Sequence, residues 1–390
     1  MACNQLSIFE ERYTVQYQYL NQTTPEEVMQ VSLFDFDLPS KYIAQKPANP
    51  RDSSRLLHIT AERKISLSDF EFKNLPELLA PGDLIVFNNT RVVPTRLTGY
   101  RLRDQLGNIP QKAHIEATLH QQISSTCWRA FIKPAKKIKS GDQINFASNF
   151  AALVKSKRAG GEVDLAFACS NDELKRNIAT HGGAPLPPYI KRKHMKNSTD
   201  LTDYQTIFAS YDGAIAAPTA GLHFTKETME ALKKRGVLVG ELTLHVGAGT
   251  FLPIKAQDTT AHSMHSEWGQ LLPEIAKMIN DVKRRGNRII ACGTTVLRLL
   301  ESAAHANSTV RPFEGKTQLF ITPGYQFKIV DMLLTNFHQP KSTLFILVAA
   351  FAGLERIKHA YKYAKYNNYR FYSYGDCCLI ENATSIIKNG

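Results

Sequence analysis

Two histidines lie in words rich in glycine and hydroxyl residues, Pro218-Thr219-Ala220-Gly221-Leu222-His223-Phe224-Thr225 and Leu244-His245-Val246-Gly247-Ala248-Gly249-Thr250-Phe251. A neutral imidazole can take up or release a proton near pH 7. Glycine lets backbone come close to a ligand or adopt positive φ. The pattern makes His223 and His245 candidates for acid–base chemistry, with Thr219, Gly221, Gly247, Gly249 and Thr250 around a small-molecule site. A lone histidine in an apolar strand is more often a satisfied core residue, but two in such surroundings favour function.

Three other clusters carry chemistry. His262-Ser263-Met264-His265-Ser266-Glu267 has the ligand types of a zinc or iron site. Its spacing is common by chance, and neither C-x-x-C nor H-E-x-x-H accompanies it. His265 and Glu267 are therefore read as a base, or as groups bonding a ribose or a cation, with no metal. Gly293-Thr294-Thr295 turns into a helix and would present free N–H groups to an anion. It is too short for a P-loop, and Arg298 and Glu301 are spaced to pair on that helix. In Asn336-Phe337-His338-Gln339-Pro340-Lys341-Ser342-Thr343, Lys341 and Ser342 at a helix start suit a phosphate or carboxylate. Asn336 and Pro340 equally suit a turn followed by a helix.

The elements that must position these residues change character along the chain. Residues 1–30 are a polar extension. From about residue 57 to 167, short runs such as Leu84-Ile85-Val86-Phe87 are divided by Pro81-Gly82-Asp83, Gly107-Asn108, Ser140-Gly141-Asp142 and Gly160-Gly161. That is the texture of a small barrel or sandwich. This block carries Lys133, Lys136, Lys137, Lys139, Lys155, Lys157 and Arg158. After residue 185, helices and strands alternate. Thr225 caps a helix that stops at Gly236, a strand covers 237–246, a helix 274–285, a strand 288–292 and a helix 296–304. Pro340 leads into an apolar helix over 341–352. The fold class is α/β: a mixed α/β main domain (31–57 and 168–390) with an inserted small β-barrel domain (58–167).

Composition bounds the partners. The chain has 390 residues, 43% of them hydrophobic, which marks a globular protein. A net charge of +13 allows a polyanionic partner. Basic and aromatic residues interleave at Tyr189-Ile190-Lys191-Arg192-Lys193-His194 and over 361–374, as in proteins that hold RNA loops, although a solvated helix face explains the second stretch equally. The longest apolar run, 344–354, is too short to span a bilayer. There is no secretory h-region, and six scattered cysteines suit a reducing cytosol. A cytoplasmic, membrane-free protein is expected.

The words, taken in order, resemble the S-adenosylmethionine:tRNA ribosyltransferase-isomerases of queuosine biosynthesis. The likeness begins at Phe34-Asp35-Phe36-Asp37-Leu38-Pro39 and runs through Ser54-Arg55-Leu56-Leu57, Asn88-Asn89-Thr90-Arg91-Val92, Leu186-Pro187-Pro188-Tyr189-Ile190 and the two histidine words. It continues with His265-Ser266-Glu267, Gly293-Thr294-Thr295, Thr335-Asn336-Phe337-His338 and Ser373-Tyr374-Gly375-Asp376. Val296-Leu297-Arg298-Leu299, where the family usually has Ser-Val-Arg-Thr, and Gln339, where leucine is usual, depart from the pattern. The resemblance implies an α/β domain with an inserted barrel. It also implies transfer and isomerisation of the ribosyl group of S-adenosylmethionine onto 7-aminomethyl-7-deazaguanine at the tRNA wobble position, giving epoxyqueuosine-tRNA, adenine and methionine. S-adenosylmethionine is then a co-substrate, no cofactor or metal is needed, and the enzyme would be a monomer or homodimer.

Such chemistry calls for a base to deprotonate carbon beside the sulfonium and an acid to assist departure of adenine, each contributing ~10²–10⁴-fold. The catalytic candidates are His223, His245, His265 and Glu267, with one of His223 and His245 as base and Glu267 holding a ribose hydroxyl or the sulfonium. Gly293, Thr294, Thr295, Arg298, Asn336, His338, Tyr374 and Asp376 join the glycine and threonine residues above as substrate-binding candidates. Arg55, Arg91 and Lys341 are the tRNA candidates. The rival readings are a metal-dependent hydrolase built on His262, His265 and Glu267, and a non-catalytic tRNA-binding module using the basic barrel.

Overall fold

The computed structural model describes residues 28–383 except 63–64, 106–107, 193–198, 248, 250–253, 255 and 263. The extension expected over 1–30 lies outside these residues up to position 27, as do Thr250, Lys193 and His194.

The strands are β1 (Arg55–Ile59), β2 (Leu67–Glu71), β3 (Leu84–Asn88), β4 (Thr90–Val92), β5 (Arg96–Gln105), β6 (Asn108–Ser124), β7 (Cys127–Lys133), β8 (Gln143–Ala147) and β9 (Phe150–Lys157). They continue as β10 (Glu162–Phe167), β11 (Tyr211–Ala214), β12 (Leu238–Leu244), β13 (Glu267–Leu271), β14 (Ile289–Cys292), β15 (Phe313–Thr317), β16 (Met332–Asn336) and β17 (Cys377–Glu381). The helices are α1 (Leu75–Leu78), α2 (Asn171–His181), α3 (Asp200–Asp203), α4 (Lys226–Lys234), α5 (Pro273–Arg284), α6 (Thr294–Ser302), α7 (Thr343–Ala352) and α8 (Leu354–Tyr366).

Nine strands form the main sheet in the order β15-β13-β12-β3-β14-β16-β17-β1-β2. Its central strands are continuous apolar runs because both faces are covered. In β3, Leu84 and Val86 point into a core shared with α5, α6, α7 and α8, while Ile85 and Phe87 point into a second core with Phe72, Phe224 and Leu232. The twofold alternation of side chains along a strand thus divides one run between two cores. Residues 96–167 close into a separate barrel, β10-β7-β6-β5-β8-β9, around its own apolar cluster.

The expected domain boundary is corrected at one end. The barrel stops at Phe167 but starts at Arg96, not at 58, because β1, β2 and β3 pair within the main sheet and β4 pairs with β11. The physical distinction lies in burial. All of β3 is buried, as a strand covered on both faces requires, whereas β10 alternates buried and half-buried positions as a barrel wall does.

The start of α7 is also corrected. Lys341 has φ of 51°, outside the helical region, and the helix begins after Ser342. The Ser342 hydroxyl accepts the Phe345 N–H at 3.2 Å and caps it. Thr225 caps α4 as expected, accepting from Thr228 N–H at 3.2 Å.

Strand direction fixes where the candidate residues meet. β12, β3, β14 and β16 are mutually parallel, so their carboxyl ends share one edge of the sheet. β13 runs antiparallel to β12, and β17 antiparallel to β16 with β1 parallel to it, which brings the amino ends of β13, β17 and β1 to the same edge. His245, Thr90, Gly293, His338 and Asp376 lie within a residue or two of these ends, and Glu267 and Arg55 are the first residues of β13 and β1. Crevices outside the carboxyl ends of such strands are where ligands of open α/β sheets bind.

Candidate active site

A cavity of about 650 Å³, its solvent mouth included, opens at that edge. Its lining includes Thr219, Thr295, Asn336, His338, Tyr189 and Tyr372. It lies between the 219–223 turn, the start of α6 and the loop after β16.

His223 forms part of the support behind this wall. Its Nδ1 lies 2.7 Å from Ser54 Oγ, Asn336 Nδ2 donates to its Nε2 at 3.1 Å, and Thr219 Oγ1 donates to Asn336 Oδ1 at 2.8 Å. With Nε2 accepting, Nδ1 carries the proton and donates to Ser54. The ring stacks on Phe72 at 5.1 Å, and burial pushes its pKa down to about 4. Both nitrogens are thus engaged, so His223 orients Asn336 and Thr219 rather than facing a substrate.

Two other histidines each have one ring nitrogen with no hydrogen-bond partner among the described residues. His338 lines the cavity, its Nε2 2.9 Å from Thr335 Oγ1 and its backbone N–H donating to Tyr361 Oη at 2.9 Å. Burial lowers its pKa to about 3, so it is neutral at pH 7. His245 is half-buried beside Val246, which lines the cavity. Its Nδ1 is 2.8 Å from Thr90 Oγ1 and its ring stacks on Trp268 at 5.2 Å. Burial lowers its proton affinity, opposed by Asp212. The Asn88 side chain holds the two supporting loops together, donating to Leu244 O at 2.8 Å and accepting from Thr90 N–H at 3.1 Å. Gly213 is required here, since a Cβ on it would sit 2.7 Å from the His245 ring.

Glu267 is buried and occupied. One oxygen accepts Gly247 N–H at 3.0 Å and the other meets Arg298 Nη1 at 2.5 Å, while Arg298 Nε donates to Leu319 O. The pair fixes the Gly247 loop against α6 and leaves neither carboxylate oxygen aimed at a ligand. Arg298 and Glu301 do not pair with each other. Glu301 instead accepts the N–H groups of Lys328, Ile329 and Val330. Glu267→Gln should cost about 3–5 kcal/mol of stability by leaving a buried guanidinium without a counter-ion. A urea titration reads this directly, and adding Arg298→Met should recover most of the loss.

The remaining candidates are more dispersed. Asp376 accepts from the Arg370 and Arg55 backbones and from the Arg370 guanidinium, locking the turn into β17. Tyr374 is buried against Tyr204. Gly221 packs against Thr206, with only 3.0 Å left for a Cβ. His265 is exposed and lies against Gly249. Among the described residues no three His, Cys, Asp or Glu side chains converge to hold a metal. Of the tRNA candidates, Arg55 pairs with Asp69 at 2.9 Å and covers the Tyr369 ring, and Lys341 pairs with Asp35 at 2.6 Å. Arg91 is exposed and donates to Ala209 O.

Tyr189 and Tyr372, with rings 4.6 Å apart, Ser373, which bonds Tyr189 Oη at 2.7 Å, and Thr335 were not among the sequence-derived candidates. All four lie in or beside the words quoted above, and adjacency to those words was the available signal.

The family described as "Queuosine biosynthesis protein" matches residues 31–380. A protein of Beijerinckia indica named S-adenosylmethionine:tRNA ribosyltransferase-isomerase is 50% identical over 370 residues, covering 93% of this chain and 99% of the relative. One of the same name from Allorhizobium ampelinum is 52% identical over 352 residues, covering 90% and 99%. The crystal structure of an S-adenosylmethionine tRNA ribosyltransferase from Thermotoga maritima is 34% identical, covers 90% of this chain and all of that one, and superposes with a TM-score of 0.51.

Proposed function

Since the chain belongs to the family of queuosine biosynthesis proteins, we propose that it is an S-adenosylmethionine:tRNA ribosyltransferase-isomerase. It moves the ribosyl carbons of S-adenosylmethionine onto 7-aminomethyl-7-deazaguanine at the tRNA wobble position and releases adenine and methionine. The observation that carries this reading is convergence. Words scattered from Leu186 to Ser373 supply the wall of one cavity at the edge of the sheet. That cavity holds a neutral imidazole, hydroxyls, a carboxamide and aromatic rings, which suit a base for carbon beside a sulfonium and hydrogen-bonding groups for ribose.

His338, which lines the cavity, and His245, next in sequence to the lining residue Val246, are the proton-handling groups in this reading. Each is neutral and each has a hydroxyl, Thr335 or Thr90, holding one ring nitrogen so that the other can face the reacting carbon or the departing purine. The reaction as read needs no resident cofactor, because S-adenosylmethionine itself supplies the activated carbon. Lys133, Lys136, Lys137, Lys139 and Lys155 are exposed on the barrel. Among the described residues none of the five lies in an ion pair. We read them as the surface that follows the tRNA backbone, so affinity should fall steeply with salt. Among the described residues no helix is long and apolar enough to cross a membrane, and a cytoplasmic site of action fits that and the tRNA substrate.

The test is product analysis with purified protein, S-adenosylmethionine and tRNA carrying 7-aminomethyl-7-deazaguanine. Adenine and methionine released in equal amounts, with an epoxycyclopentane-bearing tRNA, are expected. S-adenosylhomocysteine in their place would make the protein a methyltransferase and overturn the reading.

A further inference from the structure

We propose that the amino terminus of α6, completed by the Thr295 hydroxyl, is the seat of the carboxylate on the methionyl half of S-adenosylmethionine. The inference rests on the function proposed above and assigns one end of the substrate within the cavity.

The first intrahelical bond of α6 is Leu297 N–H to Gly293 O at 3.2 Å, so the amides of Thr294, Thr295 and Val296 precede it. Gly293, with φ of 98° and ψ of 152°, occupies the N-cap position without a side chain to offer them. Asn336, Thr219 and Thr335 in the same lining are bonded to neighbours. The exception beside these amides is Thr295 Oγ1, which is enclosed and without a hydrogen-bond partner in a residue only 8% exposed. Thr294, Thr295 and Gly293 all line the cavity. A buried hydroxyl left unbonded is costly, and a ligand that bonds it removes that cost. A small anion seated on the amides would accept from that hydroxyl and lie on the positive end of the helix dipole.

The rest of the lining narrows the anion. Among the described residues it contains no Lys, Arg, Asp or Glu. A tRNA phosphate, drawn from a polyanion, calls for cations, and the described lining offers none. A carboxylate that carries its own positive charges, as the ammonium and sulfonium groups of S-adenosylmethionine do, suits an uncharged wall. Tyr189 and Tyr372 line the same cavity with paired aromatic rings, and a sulfonium is attracted electrostatically to an aromatic face.

The experiment is calorimetric titration of the full chain with S-adenosylmethionine and with decarboxylated S-adenosylmethionine, for the parent, Thr295→Val and Thr295→Ser. The parent should bind the intact compound at least about tenfold more tightly than the decarboxylated one, as a charge-assisted hydrogen bond at a helix terminus implies. Thr295→Val should weaken the intact compound about tenfold and leave the decarboxylated one within about twofold, while Thr295→Ser stays near the parent. Equal affinities in the parent would overturn the assignment without recourse to any variant. A Thr295→Val loss shared equally by both compounds, or no loss, would overturn it too. Adenine release assayed on the same preparations separates the two levels. Release without the carboxylate preference removes this subsite alone, whereas neither release nor binding removes the proposed function with it.

Discussion

Turnover of His338→Gln and His245→Gln should each fall about 10²–10⁴-fold while the affinity for S-adenosylmethionine stays within a few-fold of the parent. Glutamine keeps a hydrogen-bonding end near Thr335 or Thr90 but cannot exchange a proton near neutrality. The loss therefore appears in the chemical step rather than in binding. Single-turnover adenine release separates the two. His223→Gln should behave differently, because His223 contacts Asn336 and Ser54 and lies behind the wall. Its loss loosens Asn336 and Thr219, so the substrate KM should rise together with a smaller fall in kcat. If His338→Gln and His245→Gln both keep parental turnover, proton transfer does not pass through them.

Acid should destabilise the protein well before its carboxylates titrate. His223 and His338 are neutral in the fold, with pKa values lowered by burial from 6.5 to about 4 and about 3. The unfolded chain binds protons at these positions from about pH 6.5 downward, and the native state does not. Native stability from this source is complete above pH 6.5, declines as pH falls, and stops declining below the folded pKa values. The loss is about 2 kcal/mol per histidine by pH 5 and about 3 by pH 4. Against a typical total of about 5–15 kcal/mol this is a large share. Urea titrations at pH 7.5 and pH 5 measure it, and His338→Gln should flatten the dependence by about half. An unchanged slope in that variant would show that His338 does not take part.

Much of the architecture was legible because its signals are local. Thr225 before a helix, Gly236 and Gly286 after helices, and the apolar runs of β3 and β14 each announce their element within a few residues. The sharing of one cavity by distant words was legible too, since strand ends carry glycines and hydroxyls. The roles within the site were not. His223 and His245 look alike in sequence, yet His223 is bound to Ser54 and Asn336, 169 and 113 residues away, and these contacts turn it from a base into a support. Glu267 looked like a ligand and proved to be the partner of Arg298, 31 residues on. His338 was a substrate-binding candidate only through the family resemblance, and the packing around β16 is what places it in the cavity lining. The barrel boundary failed for the same reason: the short strands β2 and β3 carry turn signals like those of the barrel, and only their pairing partners distinguish them.

The position of β17 has a consequence for synthesis. It follows every other described strand in sequence and inserts between β16 and β1, pairing with Cα registers from Leu56 to Ile59 on one side and from Met332 to Asn336 on the other. While the chain is still emerging from the ribosome, β1 and β16 face an unfilled gap and the Arg55 N–H lacks the Asp376 carboxylate that accepts it. The barrel, complete once residue 167 has been made, can fold early as a unit of local contacts. The chemistry cannot, so a nascent chain carries its basic barrel before it has a working cavity, which is completed only once β17 has been made.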